Sequence, residues 1–221
     1  MFHVEQDVAL PSLIHECSTN IGIPLSSEQV RLFIKYLRHL QNWNQSINLT
    51  TIISDEEIVV KHFVDSFAAL NAVTINPGSR LLDVGTGAGF PGVPLKIVRP
   101  DLSVTLVEPS QKKTSFLRFI VGLLRLENVD IFEGNLDRFV NNLSTVGSYD
   151  YVTTRALKPS LIMNVGVNLL RPGGMAIFYS SQLIDAIGFL EPWQVVNRYL
   201  FDLPMEFGKR CISICSLPSH A

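Results

Sequence analysis

The sequence predicts an α/β fold: a mostly parallel, seven-stranded sheet covered by helices, with a helical extension in front of it. From Leu81 onward, short apolar segments of strand length alternate with helical patterns, as in chains that build a parallel sheet. The first segment, Leu81–Val84, runs into a cluster of glycines, and a new helical pattern follows. The stretch before Leu81 shows helical periodicity alone. We therefore expect a helical extension over residues 1–76 and an α/β domain over residues 77–221.

Two helix starts in the extension carry the capping-box pattern, a serine followed three residues later by an acid or amide. In this device each side chain accepts a hydrogen bond from the other residue's backbone N–H. The predicted boxes are Ser26 with Gln29 and Ser54 with Glu57, and the predicted hydrophobic staples beside them are Leu25 with Val30 and Ile53 with Ile58.

The sheet is predicted from seven strand segments with helices between them. The strands are expected near Leu81–Val84, Ser103–Glu108, Val129–Glu133, Tyr149–Thr154, Gly174–Tyr179, Gln194–Phe201 and Arg210–Ser216. The helices are expected near Val93–Val98, Lys112–Leu124, Ser160–Leu170 and Leu183–Leu190. Because only the short link Leu203–Phe207 joins the last two strands, we expect them to form an antiparallel hairpin at the sheet edge.

The turn after the first strand has the composition of a ligand-binding loop. Gly85, Gly87 and Gly89 lack a Cβ, so the chain can turn sharply and a ligand can approach the backbone. The next helix directs its unpaired N–H groups at the same place, which suits a nucleotide-like ligand. With Asp83 ahead of it, the run has the form D-x-G-x-G-x-G, which resembles motif I of the class I methyltransferases that bind S-adenosylmethionine (SAM). A purely structural glycine turn is the alternative.

Acidic residues at strand ends are further candidate cofactor ligands. Glu108 ends the second strand, where a carboxylate accepts hydrogen bonds from the ribose hydroxyls of a nucleoside; alternatively, it caps the helix that follows Pro109. Asp83 either caps the glycine turn or reaches the ligand's amino group through water, and the two roles are compatible. After the third strand, Leu136 and Asp137 are expected beside an adenine ring, which a backbone N–H and a carboxylate could bind.

The fourth strand ends in Thr154-Arg155-Ala156, at the carboxyl edge where open α/β sheets bind ligands. Many SAM-dependent enzymes that methylate exocyclic amines carry an Asn/Asp-Pro-Pro-aromatic motif at this place, and this chain does not. A guanine N7 has a free lone pair and needs only to be positioned, which the planar guanidinium of Arg155 could do. A structural ion pair is the alternative for Arg155.

These segments, together with two runs in the extension, resemble one known family over nearly the whole chain. The runs are Asn48-Leu49-Thr50, Lys61-His62-Phe63-Val64-Asp65-Ser66, Leu82 to Leu95, and Thr154-Arg155-Ala156. They are similar to the bacterial 16S ribosomal RNA guanine-N7 methyltransferases, the small-subunit methyltransferase G family, also called glucose-inhibited division protein B. The resemblance implies a Rossmann-like class I SAM-dependent methyltransferase fold. It also implies SAM as the methyl donor and a guanine in the 530 loop of 16S ribosomal RNA as the acceptor.

By this resemblance, five residues correspond to SAM-binding positions: Gly85, Phe90, Leu136, Asp137 and Arg155. Together with the strand-end reasoning, the predicted cofactor-binding residues are Asp83, Gly85, Gly87, Gly89, Phe90, Glu108, Leu136, Asp137 and Arg155, and Arg155 is also the candidate catalytic residue. No metal is expected, because the sulfonium of SAM is already an activated electrophile. The family commonly has Lys-Gly after the fifth strand where this chain has Ser180-Ser181, so a contact by that lysine does not transfer to this chain.

The composition limits the classes of protein. Hydrophobic residues make up 47% and charged residues 17%, which favours a folded domain with a sizeable core. The formal net charge is −2, so a nucleic-acid contact must come from local basic patches. Three dispersed cysteines are too few for a disulfide framework or a four-cysteine zinc site. Neither a signal-peptide pattern nor an apolar run of membrane-spanning length occurs, and we expect a cytoplasmic monomer without a membrane partner.

The expected partner is 16S ribosomal RNA, alone or within the small ribosomal subunit. Its candidate contacts are Arg31, Lys35, Arg38, Lys61, His62, Lys112, Lys113, Arg118 and Lys158, and for the first three a solvated helix face is the alternative.

Two rival functions remain. A nicotinamide-dependent oxidoreductase is disfavoured by the early third glycine and the terminal hairpin, whereas a non-catalytic SAM-binding regulator is not excluded by the sequence.

Overall fold

The computed structural model describes residues 3–141, 146–155, 157–181 and 192–218, with side chains from residue 9 onward. Its strands are β1 (Arg80–Val84), β2 (Ser103–Glu108), β3 (Val129–Glu133), β4 (Tyr149–Thr154), β5 (Leu170–Ser180), β6 (Gln194–Asp202) and β7 (Lys209–Ser216). They form one seven-stranded sheet in the order β3-β2-β1-β4-β5-β7-β6. The first five strands are parallel, and β7 is antiparallel to both β5 and β6. The predicted α/β fold with a terminal antiparallel hairpin is therefore confirmed.

The strand order places a crevice beside β1. The chain builds outward from β1 through β2 to β3, then returns to pair β4 with the other side of β1. Open α/β sheets bind ligands at such a reversal, at the carboxyl ends of the strands. The predicted site residues lie at the ends of β1, β2, β3 and β4 or just after them.

Helices cover both faces of the sheet. They are α1 (His3–Asn20), α2 (Ser27–Ile47), α3 (consecutive segments Asp55–Glu57, Ile58–Val64, Asp65–Phe67 and Ala69–Ala72), α4 (Gly92–Val98), α5 (Gln111–Leu123), α6 (Leu136–Val140) and α7 (Pro159–Leu169), with a 3₁₀ turn at Pro204–Glu206. In α3 the segment Ile58–Val64 is π-helical, which the sequence did not predict. The helix predicted over Leu183–Leu190 lies outside the described residues. Within the described ranges, no helix combines the length and the apolarity needed to cross a membrane.

The extension and the sheet share buried side chains. Phe33 of α2 and Phe63 of α3 belong to the same buried cluster as Leu81 of β1, whereas Leu82 faces a second cluster on the other side of the sheet. Successive strand residues point to opposite faces, so both faces of β1 are covered. The extension thus forms one layer over the sheet, while the proposed division at residue 76 stays a prediction.

The first predicted helix start is confirmed and the second is wrong in part. Ser26 and Gln29 form the full capping box, and the Gln29 amide also donates to the carbonyl oxygens of Ile97 and Val98 at the end of α4. Ser54 accepts from the Glu57 N–H, but the Glu57 carboxylate pairs with Lys61 one turn further on. Ile53 is 67% exposed, so the staple predicted between it and the buried Ile58 does not form.

Candidate active site

The glycine turn between β1 and α4 adopts a backbone conformation that only glycine adopts easily. Gly85, Gly87 and Gly89 have φ angles of 71°, 61° and 105°. A Cβ on Gly89 would lie 2.6 Å from the Tyr36 hydroxyl and 2.8 Å from Cγ2 of Val93, whereas a Cβ on Gly87 would have nothing within 4 Å. Packing therefore requires a glycine at position 89, while Gly87 leaves space on the side open to a ligand.

Asp83 is fully buried beneath this turn. Its Oδ2 accepts hydrogen bonds from the Thr86 hydroxyl at 2.6 Å and the Gly92 N–H at 2.8 Å. Its Oδ1 has no hydrogen-bond partner among the described residues. Burial raises the pKa of this carboxyl to about 6, although the bonds from Thr86 and Gly92 oppose the rise. The hydrogen bonds of a turn cap are therefore present, and within the described residues Oδ1 is a buried acceptor without a donor.

Glu108, at the end of β2, connects two segments of the crevice. Its Oε2 accepts from the Gly87 N–H and its Oε1 from the Ser110 N–H, both at 3.0 Å. A carboxylate oxygen has two lone pairs, so each can accept a further bond. The structure therefore leaves both predicted roles open, a ligand for ribose hydroxyls and a support for the start of α5.

A cavity of about 300 Å³, here called the cofactor cavity, lies at the ends of β1, β2 and β3. Its lining residues are Val84, Gly85, Val107, Pro109, Gly134, Asn135, Leu136, Asp137, Leu157, Leu161, Asn164 and Val165. The walls are mostly apolar with a few polar groups, as in sites for flat aromatic ligands. Three predicted residues, Gly85, Leu136 and Asp137, meet here. Leu157 and Leu161 were missed, although their apolar positions just after β4 could have indicated them.

A second cavity, of about 350 Å³ and here called the Arg155 cavity, opens beside Arg155. Its lining residues are Ile52, Lys61, His62, Asp65, Arg155, Tyr179, Ser180, Ser181 and Arg210. Arg155 is therefore placed in a different cavity from Gly85, Leu136 and Asp137. The extension contributes one wall through α3, and β5 and β7 contribute the other.

The Arg155 guanidinium is held by three acceptors on α3. Nη1 donates to the Lys61 carbonyl oxygen at 2.9 Å and to Oδ2 of Asp65 at 3.2 Å, and Nη2 donates to Nδ1 of His62 at 2.9 Å. The guanidinium carbon lies 5.2 Å from the ring centre of Phe90, which also stacks on His62 at 4.4 Å. Phe90 is thus a buried support below both side chains. The ion pair weighed as an alternative for Arg155 exists, with Asp65 as its partner.

Three cationic side chains and one carboxylate line the Arg155 cavity. Asp65 lies between Arg155 and Arg210, whose Nε is 3.4 Å from Oδ1. Burial raises the pKa of Asp65, and the two arginines oppose that rise. Burial, and then the nearby Arg155, lower the pKa of His62 to about 3. His62 is 7% exposed and uncharged at neutral pH, so it does not offer RNA the cation that the sequence suggested.

Four of the other predicted RNA contacts fall in two places. Lys112 and Lys158 are exposed beside the starts of α5 and α7, near the carboxyl ends of the strands. Arg31 and Lys35 line a groove together with residues 123–127. This groove lies at the other end of α5, and the helix is about 20 Å long, so these two side chains are far from Lys112 at its start. Arg31 pairs with Glu28. This placement favours the solvated-face alternative for Arg31 and Lys35.

Ion pairs or burial restrain the remaining predicted contacts. Arg38 pairs with Asp55, Lys61 with Glu57 and Arg118 with Glu133, and Lys113 is half-buried. Among the described residues, no group of three or more histidine, cysteine, aspartate or glutamate side chains is arranged to hold a metal ion.

The cofactor cavity and its surroundings fit a nucleoside with a charged amino acid tail. An apolar slot meets a glycine turn, the Glu108 carboxylate faces that turn, and the buried Oδ1 of Asp83 lacks a donor. A buried acceptor without a partner is costly, so a ligand donor at this point would be stabilising.

The chain is similar in sequence to the proteins of one known family. Residues 29–187 match the family described as rRNA small subunit methyltransferase G (GidB). A protein named Ribosomal RNA small subunit methyltransferase G from Caldanaerobacter subterraneus subsp. tengcongensis is 36% identical over 171 residues, which cover 77% of this chain and 72% of that protein. A protein of the same name from Streptococcus pyogenes serotype M12 is 39% identical over 166 residues, covering 74% and 70%.

Solved structures agree on the fold. The ribosomal protein L11 methylase from Lactobacillus delbrueckii subsp. bulgaricus superimposes with a TM-score of 0.54 at 18% identity, over 71% of this chain and 78% of that one. TrmN from Thermus thermophilus gives a TM-score of 0.52 at 14% identity, over 64% and 45%. With the strand order above, they confirm the class I methyltransferase fold. On the sequence match, the chain belongs to the rRNA small subunit methyltransferase G (GidB) family.

Proposed function

We propose that this protein transfers a methyl group from SAM to N7 of a guanine in the 530 loop of 16S ribosomal RNA. The observation that carries the proposal is the pair of cavities at the carboxyl ends of β1 and β4. The cofactor cavity suits an adenosine, and the Arg155 cavity presents a planar donor to an acceptor base. Family membership supports the choice of small-subunit RNA as the substrate.

The residues of the cofactor cavity would bind SAM without a metal. Leu136 and Leu157 would enclose the adenine, with the Asp137 carboxylate available to its amino group. Glu108 would accept from the ribose hydroxyls, and Oδ1 of Asp83 would accept from the amino group of the methionine part, directly or through water. When bound, SAM supplies a methyl group already activated for transfer to a nucleophile.

On the acceptor side, Arg155 would orient the guanine. Its three bonds to α3 leave the Nε–H and one Nη2–H without a partner in the described residues. These donors can hold guanine O6 and leave the lone pair of N7 free to attack. Holding the reacting atoms in line accounts for much of the rate, and no proton has to be removed from N7.

A base that reacts in this cavity has to leave its stack. RNA-binding proteins read unpaired bases in loops in this way, and other base-modifying enzymes extrude their target. Since the target lies in ribosomal RNA, the cytoplasm is the proposed location.

The test is methyl transfer from labelled SAM to purified small-subunit RNA and to small ribosomal subunits. We expect one methylated guanine in the 530 loop, located by chain cleavage specific for 7-methylguanine. A matched RNA with 7-deazaguanine at that position should accept no methyl group. Methylation of the deaza RNA would rule out N7. SAM binding without any transfer would favour the regulator, and binding of a nicotinamide cofactor in place of SAM would favour the oxidoreductase.

A further inference from the structure

We propose that His62, held by Thr50, is a positioning residue that fixes the Arg155 guanidinium in its plane for the acceptor base. The inference rests on the proposed function and adds to it two residues that would not touch the substrate's reacting atom. It is carried by the hydrogen-bond chain from Thr50 through His62 to Arg155.

The chain has a defined direction. A guanidinium has donors only, so Nδ1 of His62 must be the acceptor of the 2.9 Å bond from Arg155. The proton of the neutral ring is then on Nε2, which lies 2.8 Å from the Thr50 hydroxyl and donates to it. Thr50 also accepts from the Ile52 N–H at 3.1 Å, so its oxygen is fixed by the loop before α3.

Arg155 therefore selects the tautomer, and Thr50 fixes the position of the ring. If the ring proton moved to Nδ1, two donors would face each other between His62 and Arg155, and the guanidinium would have to turn away. In the form that Arg155 selects, the Thr50 oxygen accepts from Nε2–H and so holds the imidazole in the orientation that presents Nδ1 to Arg155. A hydrogen bond on the far nitrogen orients histidine rings in this way in many functional sites.

The other contacts of Arg155 cannot replace His62. Asp65 is shared with Arg210, and both it and the Lys61 carbonyl bind Nη1. His62 alone holds Nη2 among the described residues, and two held nitrogens define the guanidinium plane.

The π-helical segment of α3 makes this arrangement possible. The Asp65 N–H bonds to the carbonyl oxygens of Val60 and His62, whereas in an α-helix it would bond to Lys61. The Lys61 carbonyl accepts from Arg155. Phe90 stacks on His62 with 12° between the ring planes, which restrains the imidazole from its face.

This geometry also argues against His62 as a general base. Its Nδ1 lone pair accepts from Arg155, and its other nitrogen carries the proton given to Thr50. A base needs a free lone pair within reach of the substrate proton.

The first test requires neither RNA nor cofactor. Nitrogen-15 NMR of the histidine ring in the full chain should show His62 as the neutral Nε2–H tautomer between about pH 5 and 8. In Thr50→Val, which replaces the hydroxyl by a methyl group, the Nε2–H loses its acceptor, so the nitrogen-15 shift of Nε2 should change. In Thr50→Ser the wild-type shift should be kept. A charged ring or a wild-type Nδ1–H tautomer would overturn the proposal, even if methyl transfer proceeds normally.

The second test is a double-mutant cycle on single-turnover methyl transfer. Thr50→Val should lower kcat by about ten- to a hundredfold, since small misplacements cost rates of that order, and leave SAM affinity unchanged. His62→Asn offers Arg155 an acceptor and has no tautomers, so it should be more active than His62→Leu. In the His62→Asn background, Thr50→Val should have no further effect.

The outcomes separate the role of Thr50 in the loop from its role toward His62. If Thr50→Val lowers kcat equally in both backgrounds, it acts through Ile52 and the proposal fails. Equal activities of His62→Asn and His62→Leu would also overturn it, because a structural role needs volume and not an acceptor. If the wild-type protein transfers no methyl group, the proposed function is refuted. The NMR result would still show whether the hydrogen-bond chain from Thr50 through His62 to Arg155 exists.

Discussion

If Asp83 receives the amino group of SAM as proposed, its protonation would connect SAM binding to pH. Its carboxyl is buried, its pKa is raised to about 6, and its Oδ1 has no partner in the described residues. A positively charged amino group of the ligand near this oxygen would favour the ionised form. Binding of SAM below about pH 6 should then release a proton, because the free protein holds one that the complex does not.

The resulting prediction is that SAM affinity rises as the pH increases towards about 6 and is level above it. Calorimetry at about pH 5.5 in two buffers of different ionisation enthalpy measures the proton released. Asp83→Asn should bind with the same heat in both buffers, since it has no proton to lose. If the wild type binds SAM with the same heat in both buffers, no proton is released. The charge of the ligand then does not affect the ionisation of Asp83.

Glu108→Ala should weaken SAM binding by about 2–4 kcal/mol, because charge-assisted hydrogen bonds to the ribose are lost. Glu133→Ala is the matched control: Glu133 pairs with Glu108 in the register of β2 and β3, but its carboxylate bonds Arg118, whereas that of Glu108 bonds the glycine turn at Gly87. Calorimetry with SAM checks both variants. Equal affinity of Glu108→Ala and wild type would leave Glu108 only its bonds to Gly87 and Ser110.

Arg155→Lys should lose most methyl transfer, because one ammonium cannot hold His62, Asp65 and guanine O6 in one plane. In the wild type, the chemical step should be independent of pH between about 6.5 and 9 at saturating SAM and RNA, because N7 needs no base. Single-turnover rates test both statements. A rate that rises tenfold per pH unit would move the target to a group that must lose a proton.

At the level of elements, glycines with positive φ differ in whether a side chain would cause backbone strain alone or a steric clash as well. Gly78 and Gly87 have positive φ and open space around a Cβ, so alanine at either should cost about 1–2 kcal/mol of stability. Gly89→Ala should cost more, roughly 2–5 kcal/mol, because its Cβ meets Tyr36 and Val93. Thermal unfolding measures these costs.

SAM affinity then distinguishes the two strained but uncrowded positions. Gly87→Ala should weaken SAM binding, whereas Gly78→Ala, which lies before β1, should leave it unchanged. If both variants bind SAM as the wild type does, the open side of Gly87 does not face the ligand.

Local signals predicted elements well where neighbours in sequence decide the structure. The Ser26–Gln29 box and every strand of the sheet follow from such signals. The prediction was wrong where a competing contact decided: Glu57 binds Lys61 instead of completing its box, and Ile53 stays exposed. Nothing in the local sequence of α3 predicted that its segment Ile58–Val64 is π-helical.

At the scale of the molecule, the glycine turn and the strand ends could be located from the sequence, but the Arg155 cavity could not. His62 and Arg155 are 93 positions apart, and they meet only because the extension lies on the sheet. Distant contacts of this kind leave no periodic pattern to detect. The same is true of Thr50, whose role depends on where the His62 ring points.

The net charge of −2 makes RNA binding depend on a few basic side chains. The logarithm of RNA affinity should fall linearly with that of the salt concentration, while SAM affinity barely changes. Lys158→Ala, at the exposed start of α7, should reduce that slope by roughly one contact, and Lys35→Ala, in the groove at the far end of α5, should not. Filter-binding assays over a salt series measure the slopes. Equal slopes for both variants would place the RNA elsewhere.

The interior position of β7 has a consequence for biosynthesis. It is synthesised after every other strand, yet it lies between β5 and β6, and its Ile212 and Ile214 join the buried cluster that contains Phe33 of α2. While β7 is still inside the ribosomal tunnel, the helices made first lack part of their cover and β5 exposes an unpaired edge. Such intermediates aggregate readily, and chaperones bind them. Substitutions in β7 should therefore lower the yield of folded protein in the cell more than their effect on the finished structure suggests.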